Sequence, residues 1–267
     1  KTAVLDQVCP SLGQAVMGAE DPDCDPKECL AWLERANMFT VAIGAHDDWY
    51  RYHHLFREFL RDQLAREASA AGIAALHTQA SAWYARQGSL EEALRHALLG
   101  GDTPGAVRLL AGRRQALMDS EQWQSHERVF HIFPADAIMQ HPELMLMAAE
   151  IDAVKRTNWA QFPELLDQAA SLVEQMPDQP EQGVYLRGEI DALRSLYAFE
   201  TNADPEGAIV CARRALAATP RAWYYVRSLA WVYLAAGLQA TGQLEQAYAA
   251  LAGGDPEDTA PSGVVYA

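Results

Sequence analysis

The sequence predicts a mostly α-helical protein: a small opening unit with one β-hairpin, then a right-handed ladder of paired helices. Three observations carry that expectation. Alanine is abundant, β-branched runs are few, and half of the 267 residues are apolar or aromatic, which leans towards helix and supplies a real core. Pro134, Pro177 and Pro220 stand at equal intervals of 43 residues (134 to 177, 177 to 220). A fixed period of that size, filled each time by two helical stretches, marks a solenoid of helix pairs. Trp231, Leu234, Ala235, Leu238, Gly242, Leu244 and Ala247 stand at the offsets of a tetratricopeptide-like unit. There small residues let two helices approach and large ones fill the gaps.

Residues 1–70 read as a partial winged-helix unit. Asp25-Pro26-Lys27-Glu28 is a helix start: an Asp cap, Pro at the first helical position and Glu three residues after the cap. That helix carries Leu30, Leu33 and Ala36 on one face. Residues 38–43 form a strand, residues 44–48 a turn and residues 49–52 the returning strand, together the wing hairpin. After His53, the apolar positions Leu55, Phe56, Phe59, Leu60 and Leu64 recur at helical spacing.

From residue 72 onward only helices are expected. Their breaks fall at Gly100-Gly101-Asp102, His141-Pro142, Asn202-Ala203-Asp204-Pro205 and Gly253-Gly254-Asp255-Pro256. Residues 71–118 are assigned to linking helical hairpins and residues 119–267 to tetratricopeptide-like repeats, the last one incomplete. Ala80, Ser81, Tyr84, Gly88, Leu90 and Ala93 match the first unit, and Ala208, Ala212, Ala215 and Pro220 the second helix of a later one. The middle units depart from the pattern. Gln122 stands near where Ala is expected, Trp159 and Phe162 are bulky, and the register between residues 113 and 180 stays open.

Charge and motifs exclude several functions. The net charge is −15, from 21 basic and 36 acidic residues. That surface repels a phosphate backbone, so direct DNA contact is not expected. There is no GxxxxGK[ST] phosphate loop, no apolar window long enough to span a bilayer and no signal peptide. The cysteines Cys9, Cys24, Cys29 and Cys211 are too sparse for a disulfide framework, and a reducing cytoplasm is the default. Cys24 and Cys29 stand at the edge of a zinc-ligand spacing, but His46, His53 and His54 form no H-x3–5-H pair, so no metal is expected. Glu91, Glu92 and His96 are placed on a solvated helix face, and no nucleophile elbow or paired-carboxylate signature is present. The expectation is that the chain is not an enzyme.

Two stretches carry chemistry of interest. The run Tyr50-Arg51-Tyr52-His53-His54-Leu55-Phe56 puts aromatics, a guanidinium and two imidazoles where a strand turns into a helix. A helix N-terminus receives anionic phosphate well, and an aromatic packing corner is the plainer reading of the same residues. Trp223, Arg227 and Trp231 stand four apart on one helix face with Tyr224 beside them. Such a wall suits a sugar or peptide, and interhelical packing suits it equally. Met139, Met145 and Met147 read as core filler.

The segment Leu33-Glu34-Arg35-Ala36-Asn37-Met38-Phe39, followed by Trp49-Tyr50-Arg51-Tyr52-His53-His54-Leu55-Phe56, resembles the winged-helix region of the MalT-like, large ATP-dependent LuxR-type transcription activators. Val4-Leu5-Asp6-Gln7-Val8-Cys9 resembles the helix preceding it. Ala82-Trp83-Tyr84 with Gln87-Gly88-Ser89-Leu90-Glu91-Glu92-Ala93-Leu94-Arg95-His96-Ala97 resembles that family's first helical-repeat unit. The resemblance implies a bacterial, cytoplasmic regulator with an ATPase module before this region and a DNA-binding helix-turn-helix after it. This chain would be the middle segment.

Tyr52-His53-His54-Leu55 is also similar to the Met-His-Asp motif of related signal-transducing ATPases. By that likeness His53, flanked by Tyr52 and His54, would contact the β-phosphate of ADP held by the nucleotide-binding domain of the full-length chain. Tyr stands here for Met and His for Asp. ATP or ADP and Mg are expected for the full-length protein and none for this segment alone. The functional expectation is a regulatory and sensor segment that receives a small-molecule inducer or a regulatory protein, with Trp223, Tyr224 and Arg227 as the candidate groove. The alternative is a tetratricopeptide-like adaptor without nucleotide logic, and an accessory domain of an enzyme is a third reading.

Overall fold

The computed structural model describes residues 1–18, 26–36, 40–43, 49–119, 123–176 and 180–252. Among them are fourteen α-helices and one short hairpin. The chain divides into two compact units, Lys1–Leu110 and Ala111–Ala267.

The first unit opens with a single 3-10 turn, Thr2–Val4, and not with the predicted helix. Helix α1 (Pro10–Met17) begins only at Pro10, with Cys9 extended at φ −114° as its N-cap. The reason is local: Pro disfavours helical backbone in the residue before it and is well suited to the first helical position itself. Helix α2 (Pro26–Arg35) starts at Pro26 as the sequence predicts; its expected cap Asp25 lies outside the described residues. Strands β1 (Thr40–Ala42) and β2 (Tyr50–Tyr52) pair antiparallel, with Thr40 opposite Tyr52 and Ala42 opposite Tyr50. Met38, Phe39 and the predicted turn at residues 44–48, with His46, lie outside the described residues. Val8 pairs with Tyr50 on the other edge of β2 through two backbone hydrogen bonds of 2.9 and 2.8 Å. The opening segment therefore contributes sheet pairing where a helix was expected.

Helix α3 (His54–Glu67) follows, then α4 (Ala70–Arg86), α5 (Leu90–Leu99) and α6 (Thr103–Asp119). The Ser69 hydroxyl caps α4 by accepting from the Gly72 amide at 3.1 Å. The core of this unit joins Leu5, Val8, Leu12, Tyr50, Trp83 and Ala93 among others. On α3 no residue is fully buried. Phe56 and Leu64 lean on the core, while Leu55 and Phe59 are exposed. Ala80, Ser81, Tyr84 and Ala93 are all buried where α4 meets α5, and the Ser81 hydroxyl donates to the Ala93 carbonyl at 2.7 Å.

In the second unit come α7 (Trp123–Phe130), α8 (Ala135–Ile138), α9 (Pro142–Lys155), α10 (Phe162–Glu174), α11 (Pro180–Glu200), α12 (Pro205–Ala218), α13 (Tyr224–Ala240) and α14 (Leu244–Ala252). The breaks predicted at Pro134, His141-Pro142, Asp204-Pro205 and Pro220 fall between helices. Gln122, Pro177 and the stretch from Gly253 to Pro256 lie outside the described residues. Each helix from α9 to α14 packs on the next, and α11 also touches α9 and α13. Bulky Phe162 fits because its ring stacks on Tyr197 at 5.6 Å, with Trp159 stacked on the same tyrosine at 5.9 Å. Met145 and Met147 are fully buried, but Met139 is half exposed just past α8, which corrects its reading as core filler.

The same turn closes a helix pair in each unit. Gly88 and Gly242 take φ of 79° and 78°, and the residue after each donates back across the turn, Ser89 to Tyr84 and Gln243 to Leu238. That six-to-one bond with a left-handed glycine is a Schellman closure. Close helix approach needs glycine elsewhere. A Cβ on Gly237 would stand 2.8 Å from the Pro205 carbonyl and 2.8 Å from Ile209 Cγ1, so α12 and α13 touch there through bare backbone. Cys9 and Cys211 carry free thiols, whereas Cys29 is disulfide-bonded. Among the described residues no helix is long and apolar enough to cross a membrane.

These contacts set a paired expectation. Gly237→Ala should destabilise the chain by about 1–3 kcal/mol, because a backbone carbonyl cannot move aside. Gly112→Ala, on an open helical site, should stabilise it by roughly 0.5–1 kcal/mol. Urea unfolding of both variants checks the two signs.

Candidate functional site

The wing corner is built by β2 and the start of α3. Tyr52 is buried, its hydroxyl sits 2.9 Å from that of Thr2, and its ring meets Phe56 edge-on at 5.9 Å. Burial raises its pKa, against the hydrogen bond to Thr2. His53 is the N-cap residue of α3 and makes no side-chain cap hydrogen bond, while its carbonyl accepts from the Arg57 amide at 2.9 Å. His53 and His54 are exposed, with ring centroids 4.3 Å apart. The first turn of α3 therefore opens outward beneath two imidazoles, the dipole arrangement that suits an anion. Arg57 pairs with Asp6, and Arg61 donates to the Ala3 carbonyl at 2.9 Å. These contacts tie α3 to the opening turn and fix the corner.

The structure separates the residues of the predicted groove. Trp223 is the N-cap residue of α13, half-buried, with its ring T-shaped against Tyr185 at 5.5 Å. Tyr224 begins the helix and is also half-buried. Arg227 is buried, and its Nη1 donates to the carbonyls of Leu216 and Thr219 at 2.9 and 3.1 Å. Its guanidinium closes the end of α12, a use that helix C-termini favour. Trp231 packs partly against the core. Of the predicted wall, Trp223 and Tyr224 remain at the surface.

His96 is not on a solvated face. It is buried, stacks on Tyr84 at 5.5 Å and lies Nδ1 to Nδ1 with His77 at 2.9 Å. Burial and the neighbouring His77 push its pKa down to about 4, and burial lowers that of His77. One ring must donate and the other accept, so at least one is neutral, and burial disfavours a charge on either.

A polar cluster that sequence reading missed lies inside the second unit. Arg114, from the end of α6, is buried with Glu189 of α11, Glu150 of α9 and His126 of α7. Both Arg114 Nη atoms donate to the Glu189 carboxylate, and Nη1 reaches Glu150 at 3.3 and 3.4 Å. His126 Nε2 is 3.5 Å from Glu150. Burial opposes the Arg114 charge, but Glu189 and Glu150 more than offset it and hold the guanidinium protonated. Burial and the charge of Glu189 together hold Glu150 well above the ordinary carboxylate range. Glu150 is thereby held towards its neutral form beside Glu189. Burial and Arg114 push His126 down to about 4, against a hydrogen bond to the Met147 backbone. The signal in the sequence is Glu150 itself, a carboxylate seven residues after Glu143 in the apolar run of α9, a helix buried nearly all round.

Residues 1–72 match the family described as the MalT winged helix domain. That stretch runs from the opening turn through β2 and α3 into the start of α4. No solved structure matches the chain.

Two expectations follow from the buried groups. Arg114→Ala leaves two carboxyls facing each other without the cation and should cost about 3–5 kcal/mol. Glu150→Gln should be near neutral at pH 5, since it replaces a carboxyl that burial already favours in its neutral form. Because the folded state raises the Glu150 pKa, the wild type loses stability as pH climbs above the unfolded value, and Glu150→Gln should gain on it towards pH 9. His96 and His126 act in the opposite sense. Their pKa values are depressed on folding, so their contribution is full above about 6.5 and fades as pH falls towards 4. Urea midpoints between pH 4.5 and 9 measure both trends.

Proposed function

We propose that this chain is the regulatory segment of a MalT-like, ATP-dependent LuxR-type transcription activator. The match of residues 1–72 to the MalT winged helix domain carries this reading. The wing corner adds to it, because His53 and His54 stand exposed at the first turn of α3. In the longer protein His53 contacts the β-phosphate of ADP held by a preceding nucleotide-binding module, with Mg and ATP or ADP supplied there. Tyr52 backs it from the core, and His54 stands beside it.

The helices of the second unit are read as tetratricopeptide-like. The Schellman turn at Gly242 supports this, as do the buried small residues Ala208, Ala212, Ala215, Ala235 and Ala247. Such a ladder receives an inducer or a regulatory protein on side chains such as Trp223 and Tyr224. A ligand that prefers one arrangement of the ladder shifts the whole protein towards it by its differential affinity. The winged helix relays that shift to the nucleotide. Contact with DNA belongs to another part of the longer protein, since a net charge of −15 repels the backbone phosphates.

His53→Ala in the longer regulator, behind its nucleotide module, should raise transcription in the absence of inducer by several-fold. A reporter assay without inducer reads this directly. Unchanged basal output would refute the phosphate contact.

A further inference from the structure

The first unit contains a cavity of about 440 Å³ that none of the residues discussed as a phosphate sensor lines. Its walls come from the opening turn, β2 and the helices α3 to α5. The volume falls in the range of small-molecule sites.

Two rings line it, Trp49 and Tyr84. Both are held in place from behind by Trp83, which meets Trp49 edge-on at 6.1 Å and Tyr84 edge-on at 5.2 Å. A pair of fixed aromatic walls favours a flat apolar ligand body.

The charged lining consists of Arg51 and Arg57 against Asp6 and Glu92. Formally it is neutral, but the acids are already engaged. Asp6 is paired with Arg57 and Arg61, and Glu92 lies 3.8 Å from Arg95 outside the lining. Arg51 projects from the exposed side of β2 and has no ion-pair partner among the described residues. Arg57 keeps its Nε–H buried and unbonded while its Nη1 serves Asp6. Burial, helped by Glu92, Cys9 and Asp6, pushes the Tyr84 hydroxyl up to about 12, so it stays a neutral donor and acceptor near pH 7. The lining thus has one cation to spare. That surplus fits one carboxylate, which planar guanidinium groups bind with directional hydrogen bonds.

We propose that this cavity binds a small aromatic monocarboxylate, its ring against Trp49 and Tyr84 and its carboxylate on Arg51. The inference does not rest on the chain being part of a transcription activator. A site of this kind would serve an adaptor equally, and failure of one reading leaves the other standing.

Isothermal titration of the purified chain with indole-3-acetate tests it, with indole-3-acetamide and inorganic phosphate as comparison ligands. Saturable binding of indole-3-acetate is expected, with the neutral amide at least tenfold weaker and phosphate weaker still. Arg51→Gln changes an exposed side chain and should weaken indole-3-acetate at least tenfold while leaving the amide unaffected. No saturable binding up to millimolar concentration would overturn the proposal. Equal affinity for acid and amide, phosphate binding as tightly as the acid, or an Arg51→Gln variant that binds as the wild type does would each overturn it too.

Discussion

Arg114 carries a charge that no ordinary pH removes, and it is buried in the second unit. A guanidinium there is tolerable only with its donors filled and its charge offset. Glu189 meets it fork to fork and Glu150 stands behind. The cluster draws side chains from α6, α7, α9 and α11 to one point. Two carboxyls for one cation is an excess, and burial together with the charge of Glu189 favours the protonated form of Glu150. The positions of these helices are thereby tied to a protonation state as well as to packing. Replacement of such a cluster by apolar groups of the same shape often stabilises a fold, so its presence is weak testimony for stability.

Around that point the unit uses the absence of side chains. Where a Cβ on Gly188 would stand 2.7 Å from Thr219 Cγ2, α11 closes on the end of α12. Gly237 lets α13 close on α12 in the same way. Buried alanines on α12 and α13 continue those contacts. Arg227 then finishes α12 from the neighbouring helix, and the Asp119 carboxylate finishes α13 by accepting from the Tyr225 amide at 2.8 Å. Caps supplied by other helices make helix ends part of the tertiary fit.

The first unit solves a different problem. Its hairpin is too short to stand alone, and Val8 completes one edge while Tyr50 and Tyr52 anchor the face in the core. Helix α3 is fastened by Arg57 and Arg61 more than by buried apolar area. That arrangement leaves the His53–His54 corner and the cavity beside Trp49 facing outward. The match to the MalT winged helix domain covers this hairpin and corner.

Helix boundaries were legible in the sequence because they rest on nearest neighbours. Pro26, Pro142 and Pro205 each open a helix, and Gly88 and Gly242 each close a hairpin, for reasons contained within a turn of chain. The small residues of the helix pairs were legible for the same reason, since their spacing is the helical period. The strand role of Val8, the burial of His96 and the capping use of Arg227 were not. Each depends on a partner brought close only by folding. Arg114 shows this most plainly, because it meets Glu150 and Glu189 from 36 and 75 residues away. The free energy of a charge depends on whether water surrounds it, and local sequence does not determine that. Sequence by itself determined where the helices opened by Pro26, Pro142 and Pro205 begin and where the turns at Gly88 and Gly242 fall; tertiary structure decided which polar groups left water, and so which of them carry unusual chemistry.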